Sequence, residues 1–115
     1  MKKFVVLYHV PASAMAQTMN STPEQQAEGM KQWTDWAQRA GSHLKDMGTP
    51  LMGGVQIKPG GSTEASTKDV SGYSVIEAED MEQAKKLMEG HPHTNGWSKD
   101  ATIEIHEAMP IPGME

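Results

Sequence analysis

His91 and His93 lie one residue apart in GHPHTNGW, residues 90–97. In extended backbone, residues two apart point to the same side, so both imidazoles can reach one ligand or one ion, and an imidazole exchanges a proton near neutral pH. The pair therefore reads as a general acid or base acting on a small ligand. As metal ligands the two are half a set. A zinc site takes three or four, Glu104 and His106 are the candidates to complete it, and no HExxH or equivalent spacing supports one, so no metal is assigned. The plainer role is structural, with Gly90 ending a helix, His91 beside its negative C-terminal end and Pro92 turning the chain.

A third histidine, His9, follows Tyr8 at the end of the apolar segment KFVVLYH. Its imidazole can also exchange a proton, and the Tyr8 hydroxyl can orient a carbonyl or a phenolate, but strand alternation sets the two on opposite faces. One pocket can use only one of them. Tyr73 offers a second phenol for positioning a ligand. Trp33 and Trp36 are neighbours on a helix surface. With Met30, Met47, Met52 and Met88 they either line an apolar pocket or pack, Trp33 in the core and Trp36 over its rim. KPGGST lacks the order of a phosphate-binding loop, and no GxSxG, CxxC or GxGxxG is present, so any chemistry is read as proton transfer without a cofactor. His91, His93 and His9 are its candidate acids and bases, and Tyr8, Trp33, Trp36 and Tyr73 its candidate ligand contacts.

Composition narrows the class. The 115 residues suit one domain, 1–115, and hydrophobic residues at 37% against 22% charged are ordinary for a globular chain. The net charge of -5 and ten scattered Lys and Arg argue against nucleic acid and against an anionic membrane surface. With no cysteine there is no disulfide or thiolate chemistry, which fits a reducing compartment. MKKFVVLYHVPASAMA has the outline of a secretory signal, but its apolar run is short and holds Tyr8 and His9, so a first strand and a cytoplasmic protein are expected.

These candidates must be positioned by six elements. KFVVLYH is apolar on both alternating faces, as a central strand would be. Thr22, Pro23 and Gln25 spell a helix start, and Ala27, Met30, Trp33, Ala37, Ala40, Leu44 and Met47 repeat on one helical face up to a stop at Gly48. A short strand is expected over Leu51 to Lys58 with a bulge at Gly53 and Gly54, then a loop through 60–67. SGYSVIEAE is a strand, Asp80 caps a second helix with Gln83, and ATIEIHEAM alternates as a strand with one wet face. The order predicts an α+β, ferredoxin-like βαββαβ domain, a four-stranded antiparallel sheet with two helices on one face. The other apolar face, with Val5 and Leu7, calls for a second copy packed sheet to sheet as a homodimer.

In GYSVIEAEDMEQAKKLMEGHPH the chain resembles the YCII-related family, with its Gly-Tyr strand ending in Glu-Ala, its Asp-capped short helix and the polar turn after it. MKKFVVLYHVP and IEIHEAMPIPGM extend the likeness over nearly the whole length. The resemblance implies a dimeric α+β barrel with a pocket between sheet and helices, and a function left mostly unassigned. The Asp-Gly-Pro-Phe tetrapeptide of one branch is missing here. The His/Asp pair of a lyase-type branch has no counterpart in VPASAMAQTMNST, so the likeness brings no catalytic pair with it. A small-molecule-binding protein follows, with acid–base chemistry of lyase or isomerase type; the other class is a non-catalytic dimeric accessory protein, and a metal-binding protein rests on the His-x-His alone.

Overall fold

The computed structural model describes residues 1–14, 20–95 and 98–113. Part of the loop after the first segment, the end of GHPHTNGW and the last two residues thus lie outside the described residues. Strand β1 (Lys2–His9) is central: it pairs antiparallel with β5 (Val70–Ala78) on one side and β6 (Thr102–Glu107) on the other, and β2 (Leu44–Asp46) pairs with β5 at the edge. The result is an α+β architecture with a four-stranded antiparallel sheet, compatible with a ferredoxin-like fold.

Pleating sorts β1 into two chemistries. Phe4, Val6 and Tyr8 are buried on the face covered by helices α1 (Pro23–Ala40) and α2 (Met81–Leu87), against Trp36, Ala40, Ile76, Ala84 and Met88. Val5, Leu7 and His9 point the other way and stay half-buried. Ile103 and Ile105 turn inward against the core, and Glu104 and His106 outward, as their alternation predicts.

Helix α1 begins as expected. Thr22 accepts from the Gln25 N–H and the Gln25 side chain accepts from the Thr22 N–H, a complete capping box, with Pro23 in the first turn where no donor is needed. It ends earlier than the apolar stripe suggests. Gly41 takes φ 59 and closes the helix at Ala40, and Leu44, read as the next helical contact, instead reaches the same core from β2 opposite Ile76. A strand residue and a helix residue can point one side chain at the same core, so the stripe ran on past the helix.

The strand expected at Leu51 to Lys58 is also different. Only Val55–Ile57 is a strand, β3, and it pairs outside the main sheet with β4 (Thr63–Ala65), inside a segment read as loop. Gly53 and Gly54 precede this hairpin rather than forming a bulge in the sheet. Asp80 caps α2 as predicted, its carboxylate accepting from the Gln83 N–H at 2.9 Å. Trp36 ties the helices together by donating its indole N–H to the Leu87 carbonyl at 2.9 Å.

Gly48 joins β2 to the sheet's edge under tight constraint: its φ is 77, and a Cβ there would sit 1.7 Å from the Tyr73 carbonyl oxygen. Gly48→Ala is expected to cost more than about 3 kcal/mol, strain and backbone clash combined. Gly41→Ala, at φ 59 and ψ -132 with nothing within 4 Å of the added carbon, bears the backbone strain alone and is expected to cost about 1–3 kcal/mol. Urea unfolding of both variants checks the difference; equal losses contradict it.

Candidate functional site

Pro92–Thr94 forms a single 3-10 turn, so the two histidines are not side by side on an extended strand. His91, still extended, folds its ring over the turn and accepts the His93 backbone N–H on Nδ1 at 2.9 Å. That one contact fixes the tautomer. A backbone N–H can only donate, so Nδ1 carries no proton and the neutral ring holds its hydrogen on Nε2.

Nε2 lies 3.2 Å from the Tyr8 hydroxyl and therefore donates to it. The Tyr8 oxygen is 2.7 Å from Ser74 Oγ, and Ser74 Oγ donates its only hydrogen to the Met47 carbonyl at 2.7 Å. Tyr8 must then be the donor to Ser74. The chain of bonds runs one way, from the 3-10 turn through β1 and β5 to the Met47 carbonyl, and every member is satisfied.

Aromatic rings enclose this relay. The His91 ring stacks on Tyr8 at 5.0 Å and meets the edges or faces of Trp33 at 4.5 Å and Trp36 at 4.4 Å. Tyr8 in turn packs against Trp33 at 5.1 Å and His93 at 5.1 Å. His91 has no exposed surface and Tyr8 only 1%. Burial, followed by the like charges of His93 and Arg39, drives the His91 pKa down from 6.5 to about 3. Burial pushes the Tyr8 phenol up to about 12.

The two tryptophans exchange the parts expected of them. Trp36 is core, 1% exposed, whereas Trp33 is half-buried and opens onto a cleft. The reason lies in α1. Only Gly29, Trp33, Trp36, Ala37 and Ala40 turn toward the sheet, so the N-terminal half of the helix stands away from it. The gap is a cleft of about 580 Å³, in the range of small-molecule sites. Its walls include Met30 and Trp33 from the helix, Met47 to Pro50 after β2, and His93 beside Tyr8.

His93 is the histidine that reaches this cleft. It donates Nε2–H to the His9 carbonyl at 3.0 Å, and its pKa is lowered, burial outweighing the backbone bonds to His9 and Thr102 that would raise it. Tyr73 also borders the cleft, its hydroxyl donating to Asp46 Oδ2 at 3.3 Å. His9 is elsewhere. It lies on the opposite sheet face, bonded to the Lys68 carbonyl at 2.8 Å and to Glu104 Oε1 at 3.2 Å, so strand alternation separates it from Tyr8 as expected.

The ligand set considered for a metal does not assemble. Glu104 and His106 share the open face with His9, both histidines contacting the Glu104 carboxylate, while His91 and His93 are buried on the helix side. His106, then His9, holds the Glu104 carboxyl below its usual range. His91 has both nitrogens committed and keeps no lone pair for an ion. Among the described residues no group of three or more His, Cys, Asp or Glu is placed to hold a metal, and no helix is long and apolar enough to cross a membrane.

Sequence reading missed Ser74. It sits at the inward position opposite Val6, on the same face as Ile76 and Ala78, and a lone hydroxyl in such a row signals a buried polar partner. Gly72, opposite Tyr8, leaves room for the ring: a Cβ there would touch Tyr8 Cδ2 at 3.3 Å. No family model matches this chain, and no curated protein matches it either.

His91 makes stability fall with acid. The unfolded ring binds a proton near 6.5 and the folded ring only near 3, so its full contribution is present above 6.5 and is lost as pH falls toward 3. About 2 kcal/mol should be gone by pH 5. Proton uptake on unfolding, taken from the slope of stability against pH, should drop by about one proton in His91→Gln. Tyr8→Phe leaves the Nε2–H without its acceptor and should cost about 1–3 kcal/mol. An unchanged slope in His91→Gln would refute the assignment.

Proposed function

We propose that this protein binds a small, partly apolar molecule in the cleft between α1 and the sheet, as a ferredoxin-like domain of the YCII-related type. The cleft carries the reading. It is concave, of ligand size, mainly apolar, and bordered by a rigid network of satisfied polar groups, the combination expected of a small-molecule site. Trp33 and Met30 supply contact surface, Tyr73 and His93 the polar edges.

If the site does chemistry, it is proton transfer without a cofactor, and His93 is the acid or base, since it alone of the buried pair borders the cleft. His91 is then a positioning residue, fixing Tyr8 and the turn that carries His93. His9 belongs to a different environment and takes no part in this cleft.

The functional unit in this reading is a homodimer, the two sheets face to face in a dimeric barrel. Val5, Leu7 and Val75 support it, being half-buried on the sheet face opposite both helices, where a second sheet would complete their burial. That same observation favours the second reading, a non-catalytic accessory protein whose dimer is the working object.

A fragment screen by thermal shift, followed by amide and indole NMR, tests the first reading. Hits that stabilise the protein are expected to move the Trp33 indole signal saturably. A screen in which nothing perturbs Trp33 or His93 ends it. Light scattering at micromolar concentration should give twice the chain mass, and Leu7→Arg should return the monomer; a monomeric parent protein removes the dimer.

A further inference from the structure

The cleft wall has an unusual charge balance. Among the described residues, none of its lining side chains is Lys, Arg, Asp or Glu, although the chain has ten basic and fifteen acidic residues. Its polar groups are amides, hydroxyls and one imidazole, chiefly Gln25, Gln26, Gln32, Ser71, Asn95 and His93. A charged ligand would lose water here and find no counter-ion, whereas an uncharged one gives up far less.

Two of these amides are held in known orientations. Gln25 Oε1 accepts the Thr22 backbone N–H at 2.9 Å, which leaves the Gln25 NH₂ as the group that can donate. Gln26 does the reverse. Its Nε2 donates to the Ser21 carbonyl at 3.3 Å, leaving Oε1 to accept. Both assignments follow from backbone partners whose roles cannot change. The helix start thus offers an uncommitted amide NH₂ on Gln25 and an uncommitted amide oxygen on Gln26, both residues lining the cleft with Trp33 and Met30.

We propose that the ligand of this cleft is an uncharged molecule with a flat apolar body and an amide- or lactam-type group, which accepts from Gln25 and donates to Gln26. This rests on the cleft being the binding site, as proposed above, and adds the ligand's charge and hydrogen-bonding class. The capping box has two uses in this arrangement: it starts α1, and it holds the Gln25 side-chain oxygen, which leaves the NH₂ uncommitted. His93 is compatible with an uncharged guest, because burial keeps its ring neutral.

Three probes of one shape separate the possibilities: naphthalene-2-carboxamide, naphthalene-2-carboxylate and naphthalene-2-carboxamidinium, titrated into the full chain at pH 7.5 by calorimetry and NMR. The carboxamide should bind saturably and shift the Trp33 indole, with each charged analogue at least tenfold weaker. 2-Acetylnaphthalene, which accepts but cannot donate, should be several-fold weaker than the carboxamide, and Gln26→Leu should erase that difference. Gln26 is exposed, so this variant is expected to fold. Gly29→Phe, built where an added carbon meets nothing within 4 Å, should block the carboxamide.

Tighter or equal binding of either charged probe, with Trp33 still shifted, overturns the uncharged class but leaves the cleft as the site. Equal binding of carboxamide and ketone overturns the donor–acceptor match. No binding by any probe, or binding that neither shifts Trp33 nor responds to Gly29→Phe, overturns the inference together with the reading beneath it.

Discussion

The proton on one histidine nitrogen sets the direction of the central network. Because the His93 N–H occupies Nδ1 of His91, the ring must present Nε2–H to Tyr8; Tyr8 must then donate to Ser74, and Ser74 to the Met47 carbonyl. Four segments far apart in sequence are joined by this sequence of single donors: the 3-10 turn, β1, β5 and the chain leaving β2. Reversing any one bond would leave a buried group unsatisfied, which costs about 1–3 kcal/mol per group. The network is therefore specific as well as stabilising.

The cleft itself follows from where the apolar residues of α1 stop. Trp36 and Ala40 are committed to the core, and Trp36 is further locked by its indole bond to Leu87. Toward the N-terminus the sheet-facing positions are Gly29 and the half-buried Trp33. A small residue where a large one would fill the gap leaves space between helix and sheet. Packing of the C-terminal half and absence of packing under the N-terminal half are thus two consequences of one helix sequence.

Much of this was legible in advance, and the failures have physical causes. Period-two alternation placed Phe4, Val6 and Tyr8 together and separated Tyr8 from His9, because a strand's pleat has no alternative register once one face is buried. Capping patterns at Thr22 and Asp80 held, since they report local bonds that need no tertiary context. The end of α1 was misread because Leu44 serves the same core from a strand, and hydrophobic spacing cannot distinguish the two. Trp33 and Trp36 were exchanged for a related reason: helical spacing says that two residues are neighbours, and only the helix's rotation against the sheet says which is inside. The role of His91 was not legible at all, for it depends on Ser74 and on a carbonyl, neither of which carries a motif.

Tyr8 and His9 show how far the sheet divides the molecule's chemistry. They are adjacent in sequence, yet one enters a closed neutral network and the other contacts the Glu104 carboxylate on the opposite face. His9 donates Nδ1–H to the Lys68 carbonyl and turns Nε2 toward the Glu104 carboxylate. Charge is tolerated on that face, where Glu104 lies beside His9 and Glu77 beside Lys45. On the helix face burial opposes it, holding His91 and Tyr8 in their neutral forms. The cleft wall beside Tyr8 therefore presents fixed dipoles rather than ions.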